Sequence, residues 1–437
     1  MDGTAILERL GGSRNILLLQ GPVGPFFDHL ARFLVEQGRF VSKINLNAGD
    51  AWFYRQPGSI DYSEQPDHWP HFVDRVLVER KIDAIVLFGD CRPYHRSAIL
   101  RARMKAVPVF VFEEGYIRPN FVTFEPNGVN ANSMLPCSDA DLRLVPLPEK
   151  VKKKRTRFSR MARYAFMYYL AGRLGRRQYP NYRHHKPFDL YPEGLYWLRS
   201  GMRKLIYRFT ERSLGARLTN DLAGKYFLVP LQVFNDSQIR SHSDFRSVRA
   251  MIGTVLESFA REAPPDAHLV FKHHPMDRGH RHYGRQIVQT AAASGVGGRV
   301  HYVHDLHLPT LLKNARGAVL VNSTTGVSAM FHDKPVKTLG RCLYDLPGLT
   351  HQGELASFWQ NPAGPDRDLY ERFRNYLIRM TQVRGSFYSG GRVVLGNERP
   401  TLRLVATDPA LGTLASSAPS VAPSAPPLES AVLRTGT

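Results

Sequence analysis

The sequence predicts an α/β fold of two Rossmann-like domains facing a cleft, with a basic, aromatic-rich insertion between them. Three observations predict it. Short apolar runs, each followed by a stretch of helical spacing, occur in two separate sets, as buried parallel strands with crossover helices require. The pattern lapses between the sets, over residues 150–217. At 437 residues the chain also exceeds what one core ordinarily fills, so two domains are expected.

The elements follow in order. After an N-terminal segment (1–14), the first domain (15–149) holds the strand run NILLLQG, Asn15–Gly21, and the helical stretch FFDHLARFLVEQG. IDAIVLFGD, Ile82–Asp90, precedes a helix around Tyr94–Lys105, and VPVFVFEEG, Val107–Gly115, is a third strand. The second domain (218–400) restarts with KYFLVPLQ, a helix over Ser247–Glu262, and HLVFKHHP. RVHYV, GAVLVNS and KPVKTLG are further strands, separated by helices at Leu308–Asn314 and Gly326–Phe331. Residues 401–437, rich in Pro, Ser and Ala, carry too little apolar content to fold.

Composition excludes several classes. Three separated cysteines, Cys91, Cys137 and Cys342, make neither a disulfide framework nor a cysteine-rich zinc site. No apolar run has the length of a membrane span and the first residues lack a signal-peptide core, so a cytoplasmic protein is expected. The net charge of +21 is concentrated: residues 150–217 hold nineteen lysines and arginines against three acids, a local +16. Such a segment describes a partner surface rather than the fold. No nucleic-acid-binding signature accompanies it, so nucleic acid is not the expected partner.

Ligands of open α/β sheets bind at the carboxyl ends of strands, and several strands here end in unusual polar residues. The loop Gln20–Gly24 could bring backbone close to a ligand or could simply be a tight turn. Gly89-Asp90-Cys91-Arg92-Pro93-Tyr94-His95 supplies an acid, a guanidinium and an imidazole that could orient an acceptor, although Asp90 could equally cap the next helix. Glu113-Glu114-Gly115-Tyr116-Ile117-Arg118 places two carboxylates after an apolar run. In strand geometry they face opposite sides, and like charge with partial burial would suit one to acid–base work unless Arg118 neutralises it. Glu114 is the expected one.

The second domain offers Gln232-Val233-Phe234-Asn235-Asp236 at one strand end and Lys272-His273-His274-Pro275 at another. Pro275 favours an extended His274, and a cation with imidazoles suits a phosphate. Asn322-Ser323-Thr324-Thr325-Gly326 sets hydroxyls and amides at a helix start, a place favourable to an anion. No motif has the form of a metal cage or a Walker loop.

The ordered set LLLQGPVGPFF, GDCRPYH, FEEGYIRPN, PLQVFNDSQI, FKHHP and VNSTTG resembles the capsule polysaccharide biosynthesis family, and within it the KpsS-type β-Kdo transferases. The resemblance spans about residues 15–340. It implies a GT-B-like pair of Rossmann domains that uses CMP-Kdo without a bound metal or other cofactor. It implies transfer of Kdo to phosphatidylglycerol at the inner membrane, with retention, to begin a poly-Kdo linker. Residue by residue, Glu114 resembles the family's acid/base carboxylate and Asp236 its nucleophile. His274, Ser323 and Thr324 match contacts to the CMP phosphate, with Gln232, Lys272, Asn322 and Thr325 joining the donor site and Asp90, Arg92, His95 and Arg118 the acceptor side. The basic segment then faces anionic lipid, and the second capsule Kdo transferase and the capsule exporter become expected partners. A transferase using another CMP- or UDP-sugar, or a non-catalytic export or scaffold protein at the inner membrane, are the alternatives.

Overall fold

The computed structural model describes residues 1–118, 120–135, 142, 158–183, 190–388 and 392–395. The expected tail, the remaining parts of the insertion and Cys137 lie outside them. Residues 1–395 form one compact unit around two separate sheets.

The first sheet begins with β1 (Asn15–Leu18), preceded by helix α1 (Thr4–Leu10). It continues through α2 (Phe26–Glu36), β2 (Phe40–Asn45), α3 (Ala48–Trp52), β3 (Ser59–Asp61), α4 (Trp69–Glu79), β4 (Ala84–Phe88), α5 (Pro93–Met104), β5 (Val109–Glu114) and β6 (Phe121–Pro126). Strands β1, β4 and β5 are almost wholly buried, with apolar cores on both faces, because helices cover both sides. Parallel pairing runs β3-β2-β1-β4-β5, and β6 adds antiparallel.

The insertion is not a free appendage. Helices α6 (Phe158–Leu174), α7 (Leu190–Thr210) and α8 (Arg212–Thr219) divide between the two domains. Tyr168 of α6 is buried in the first: its hydroxyl donates to Asp50 (3.0 Å) and accepts from Asn47 (2.7 Å) and Gln20 (3.0 Å). Tyr179 donates to Asp61 at 2.6 Å. Helix α7 leans instead on the second domain, through Arg203 to the Arg278 carbonyl at 2.8 Å and Tyr207 stacked on His304 at 3.8 Å.

The second domain runs β7 (Tyr226–Pro230), α9 (Ser237–His242), α10 (Val248–Glu262), β8 (His268–Lys272), α11 (Gly284–Ala293), β9 (Val300–Val303), α12 (Leu308–Asn314), β10 (Gly317–Leu320), α13 (Thr325–Phe331) and β11 (Val336–Thr338). Its sheet is all parallel in the order β11-β10-β7-β8-β9. After α14 (Leu355–Gln360) and α15 (Arg367–Met380), β12 (Gln382–Arg384) leaves this domain and pairs antiparallel with β6. The segment expected to close the second domain therefore crosses back, and the Val394 carbonyl accepts from the Gly3 amide at 2.7 Å. This is the fold class expected from the sequence, with switch points beside β1 and β7 where ligands of such sheets bind.

Candidate functional site

The first wall is built at the ends of β1, β4 and β5. The chain leaves β4 through Gly89 at φ +73°, a conformation that favours glycine. A Cβ built there would lie in ordinary contact with the Glu113 carboxylate, 3.5 Å from its Oε2, which places that carboxylate beside the turn. Asp90, buried, accepts from the Val129 amide (3.1 Å), Asn132 Nδ2 (3.0 Å) and the Cys91 thiol (3.2 Å). It does not cap α5: Arg92 occupies that position, with Pro93 beginning the helix. Asp90 thus fixes the 129–132 loop as part of the wall.

His95 departs from its expected role. It is 0% exposed, its Nδ1 lies 2.7 Å from the Gly89 carbonyl, and burial pushes its pKa down to about 3. A neutral imidazole braced against the turn supports Gly89 and is out of reach of an acceptor. Arg92 Nη1 donates to Gln20 Oε1 at 2.8 Å, tying the ends of β1 and β4 together. Arg118 is exposed and donates to the Gly115 carbonyl at 3.2 Å.

The two carboxylates of β5 separate as strand geometry requires. Glu113 pairs with Thr123 and Glu114 with Val122. Glu113 turns toward Gly89, Asp90 and Arg92, and burial, with Glu114 and Asp90 adding, pushes its pKa up to about 7. Glu114 faces the opposite side, where it accepts from the Tyr388 hydroxyl. The carboxylate set beside Asp90 and Arg92 is therefore Glu113, not the expected Glu114.

The second wall brings several expected residues together. Gln232 Nε2 donates to Asp236 Oδ2 at 2.9 Å and to Asn322 Oδ1 at 3.1 Å, linking the ends of β7 and β10. Buried Asp277 accepts from the Phe234 amide at 2.8 Å and so shapes the loop that carries Asp236. His274 is extended, φ −74° and ψ 129°, as the following proline requires. Its Nδ1 accepts from the Met276 amide at 3.2 Å, which assigns the ring proton to Nε2.

Lys272 is a correction. Its ammonium is buried and donates to the carbonyls of His273 (3.1 Å) and His304 (2.6 Å), and burial lowers its pKa to about 8. It clamps two loops instead of meeting a phosphate. Ser323 Oγ donates to Thr325 Oγ1 at 3.0 Å and accepts from the Thr325 amide at 3.2 Å, so these hydroxyls shape the turn into α13, at whose N-cap position Thr324 makes no side-chain cap bond.

The two walls meet in a cavity of about 520 Å³ lined by Asp90, Cys91, Arg96, Ala131 and Asn132 from one domain and Ser241, His242 and Arg341 from the other. The Arg341 amide donates to the His242 carbonyl at 2.8 Å, holding the second wall together. Burial lowers the His242 pKa against the pull of Asp90. Arg96, His242 and Arg341 escaped the sequence reading because each lies beyond a motif, on a helix or in a loop with no distinctive spacing. The only signal was position, a few residues past GDCRPYH, FNDSQI and VKTLG. Among the described residues no group of three or more His, Cys, Asp or Glu is placed to hold a metal.

A sequence profile of the capsule polysaccharide biosynthesis proteins matches residues 83–388, which contain most of both walls. The chain belongs to the capsule polysaccharide biosynthesis family. It is 43% identical over 392 residues to the capsule polysaccharide export protein KpsS of Escherichia coli, covering 89% of this chain and 100% of that one. It is 42% identical over 390 residues to the capsule polysaccharide modification protein LipB of Neisseria meningitidis, covering 87% and 93%. Among solved structures of similar shape is KpsC of Thermosulfurimonas dismutans, a beta Kdo 2,7 transferase, with TM-score 0.41 and 15% identity over 84% of this chain and 92% of that one.

Proposed function

We propose that this capsule-family protein is a glycosyltransferase that moves Kdo from CMP-Kdo to phosphatidylglycerol, with retention, and so begins a poly-Kdo linker. The observation that carries the reading is the cleft itself: Arg96 and Arg341 from opposite domains line a cavity that also holds buried Asp90 and His242. Two guanidiniums suit a donor that bears both a carboxylate and a phosphate, since charge-assisted, bidentate bonds to such groups are strong.

In this reading the bond from the anomeric carbon to the CMP phosphate breaks, with cations and the Nε2–H of His274 taking up the charge that develops on phosphate; each preorganised donor of this kind contributes about 3–4 kcal/mol. Asp236, aligned by Gln232, attacks the anomeric carbon and holds the sugar covalently. Glu113, with a pKa near 7, takes the proton of the lipid hydroxyl as that oxygen displaces Asp236. Two inversions give retention. Ser323, Thr324, Thr325 and Asn322 shape the donor loop, and Arg92 and Arg118 flank the acceptor side. The setting is the cytoplasmic face of the inner membrane; no described helix is long and apolar enough to cross a bilayer. The second capsule Kdo transferase and the exporter are proposed partners.

The test is transfer. Purified protein, CMP-Kdo and phosphatidylglycerol should yield glycosylated lipid and free CMP; intact CMP-Kdo beside an active synthetase control overturns the reading. The Escherichia coli relative is named an export protein, and a non-catalytic export or scaffold role is the second reading. It requires that Glu113→Gln and Asp236→Asn leave capsule production unchanged.

A further inference from the structure

Helix α7 is amphipathic in the inverse sense of an ordinary surface helix. Its inner face, Tyr196, Ser200, Arg203, Tyr207 and the following Glu211, is polar and aromatic. That face docks on the second domain. The Tyr196 ring lies 4.5 Å from that of His280, and a Cβ added to Gly279 would meet the Tyr196 carbonyl at 2.2 Å. The Glu211 carboxylate accepts from the amides of His304 (2.7 Å) and Asp305 (2.9 Å).

The outer face is Leu195, Leu198, Met202, Leu205, Ile206 and Phe209, each between 53% and 74% exposed. At about 100° per residue these six fall in one stripe roughly 100° wide. A surface helix normally turns such a stripe inward; a contiguous apolar patch left outside marks an interaction surface.

The borders identify the partner. Exposed Arg199 runs along one edge of the stripe, and exposed Arg208 and Arg212 along the other. Long basic side chains in this position lay their stems on apolar surface and lift their charges to its rim, the arrangement of helices lying in a membrane interface. A second copy of this chain would bring two +16 segments together, whereas anionic headgroups complement them. Helix α6 repeats the device with exposed Phe166, Leu170 and Leu174 beside exposed Arg173 and Arg177.

We propose that α7 lies in the plane of a bilayer surface bearing anionic phospholipids, its apolar stripe among the upper acyl segments and its arginines at the phosphates. Because the inner face of α7 rests on the loop that follows His274, this surface would hold the second wall, and the cleft it shares with the acceptor side, close to the bilayer that carries a lipid acceptor. The proposal extends the lipid-acceptor reading from a site to a surface, and its test contains no nucleotide sugar.

The full chain is floated with phosphatidylcholine vesicles, with and without phosphatidylglycerol. Wild-type protein should float with the anionic vesicles, and Leu205→Glu with Phe209→Glu should weaken partition about tenfold or more. The milder pair Leu198→Gln with Met202→Gln should weaken it less, and Arg199→Gln with Arg208→Gln should reduce the gain given by phosphatidylglycerol, all with an unchanged circular dichroism spectrum. Equal flotation of the Glu pair and wild type overturns the proposal, as does wild type that stays below the vesicles. A concentration-dependent dimer that Leu205→Glu abolishes while flotation persists also overturns it. Protein that floats but transfers nothing overturns only the transferase reading.

Discussion

Cys91 Sγ lies 3.9 Å from His242 Nε2, at the point where the strand ends of one domain meet those of the other. The thiol donates to Asp90, and burial with that neighbouring carboxylate pushes its pKa well above the ordinary thiol range. Cys91 is therefore a protonated spacer in the cleft wall and not a nucleophile. Iodoacetamide should label it slowly at pH 8, and a bound donor should slow labelling further; mass spectrometry of the modified peptide checks both. Rapid alkylation that a donor leaves unchanged would place the cleft elsewhere.

Glu113 sets a pH dependence. In the folded protein its carboxyl keeps its proton to about pH 7, whereas the unfolded side chain releases it near the ordinary glutamate value of 4.5. Between these values the folded state binds more protons, so this group's contribution to stability falls as pH rises. Glu113→Gln should leave stability nearly unchanged at pH 4 and raise it above pH 7 by about 1–3 kcal/mol, read from urea unfolding. Its transfer rate should fall about a hundredfold or more and lose the rise through pH 7 that a general base gives.

Glu114→Gln separates the two carboxylates. Glu114 faces Tyr388 on the other side of β5, so its loss should weaken packing there and spare the pH profile of transfer. A profile flattened by Glu114→Gln and untouched by Glu113→Gln would reverse the assignment.

Tyr168 couples the insertion to the first wall of the cleft. Tyr168→Phe strips Asp50, Asn47 and Gln20 of a shared buried partner, and should cost about 1–3 kcal/mol in urea unfolding. Gln20 also accepts from Arg92, so the same substitution should raise the KM for the acceptor more than that for the donor.

What the sequence disclosed follows from physics that is local along the chain. Strand ends such as Gly89-Asp90, Glu113-Glu114 and Gln232 could be read because an apolar run stops at a polar residue, and the fold places them at its carboxyl edges. The direction of each side chain could not be read. His95 and Lys272 carry the right chemistry but point into the protein, one against a carbonyl of its own turn and the other against two carbonyls, one of them on a distant loop. Arg96 and Arg341 are brought into one cavity only by domain packing, which no spacing along the chain encodes. The insertion was legible as a charge excess; that Tyr168 would be buried and Leu205 left outside depends on which helix face meets a domain.

The cleft between the two sheets is proposed to hold a cytidine-linked acidic sugar. Calorimetric titration of CMP-Kdo, without acceptor, into wild-type protein and into Arg96→Ala and Arg341→Ala tests it most directly. Binding should saturate, be displaced by CMP and not by UDP, and weaken about tenfold or more with each substitution while the unfolding midpoint stays in place. Binding of equal strength in all three proteins, or none in the wild type, would contradict it.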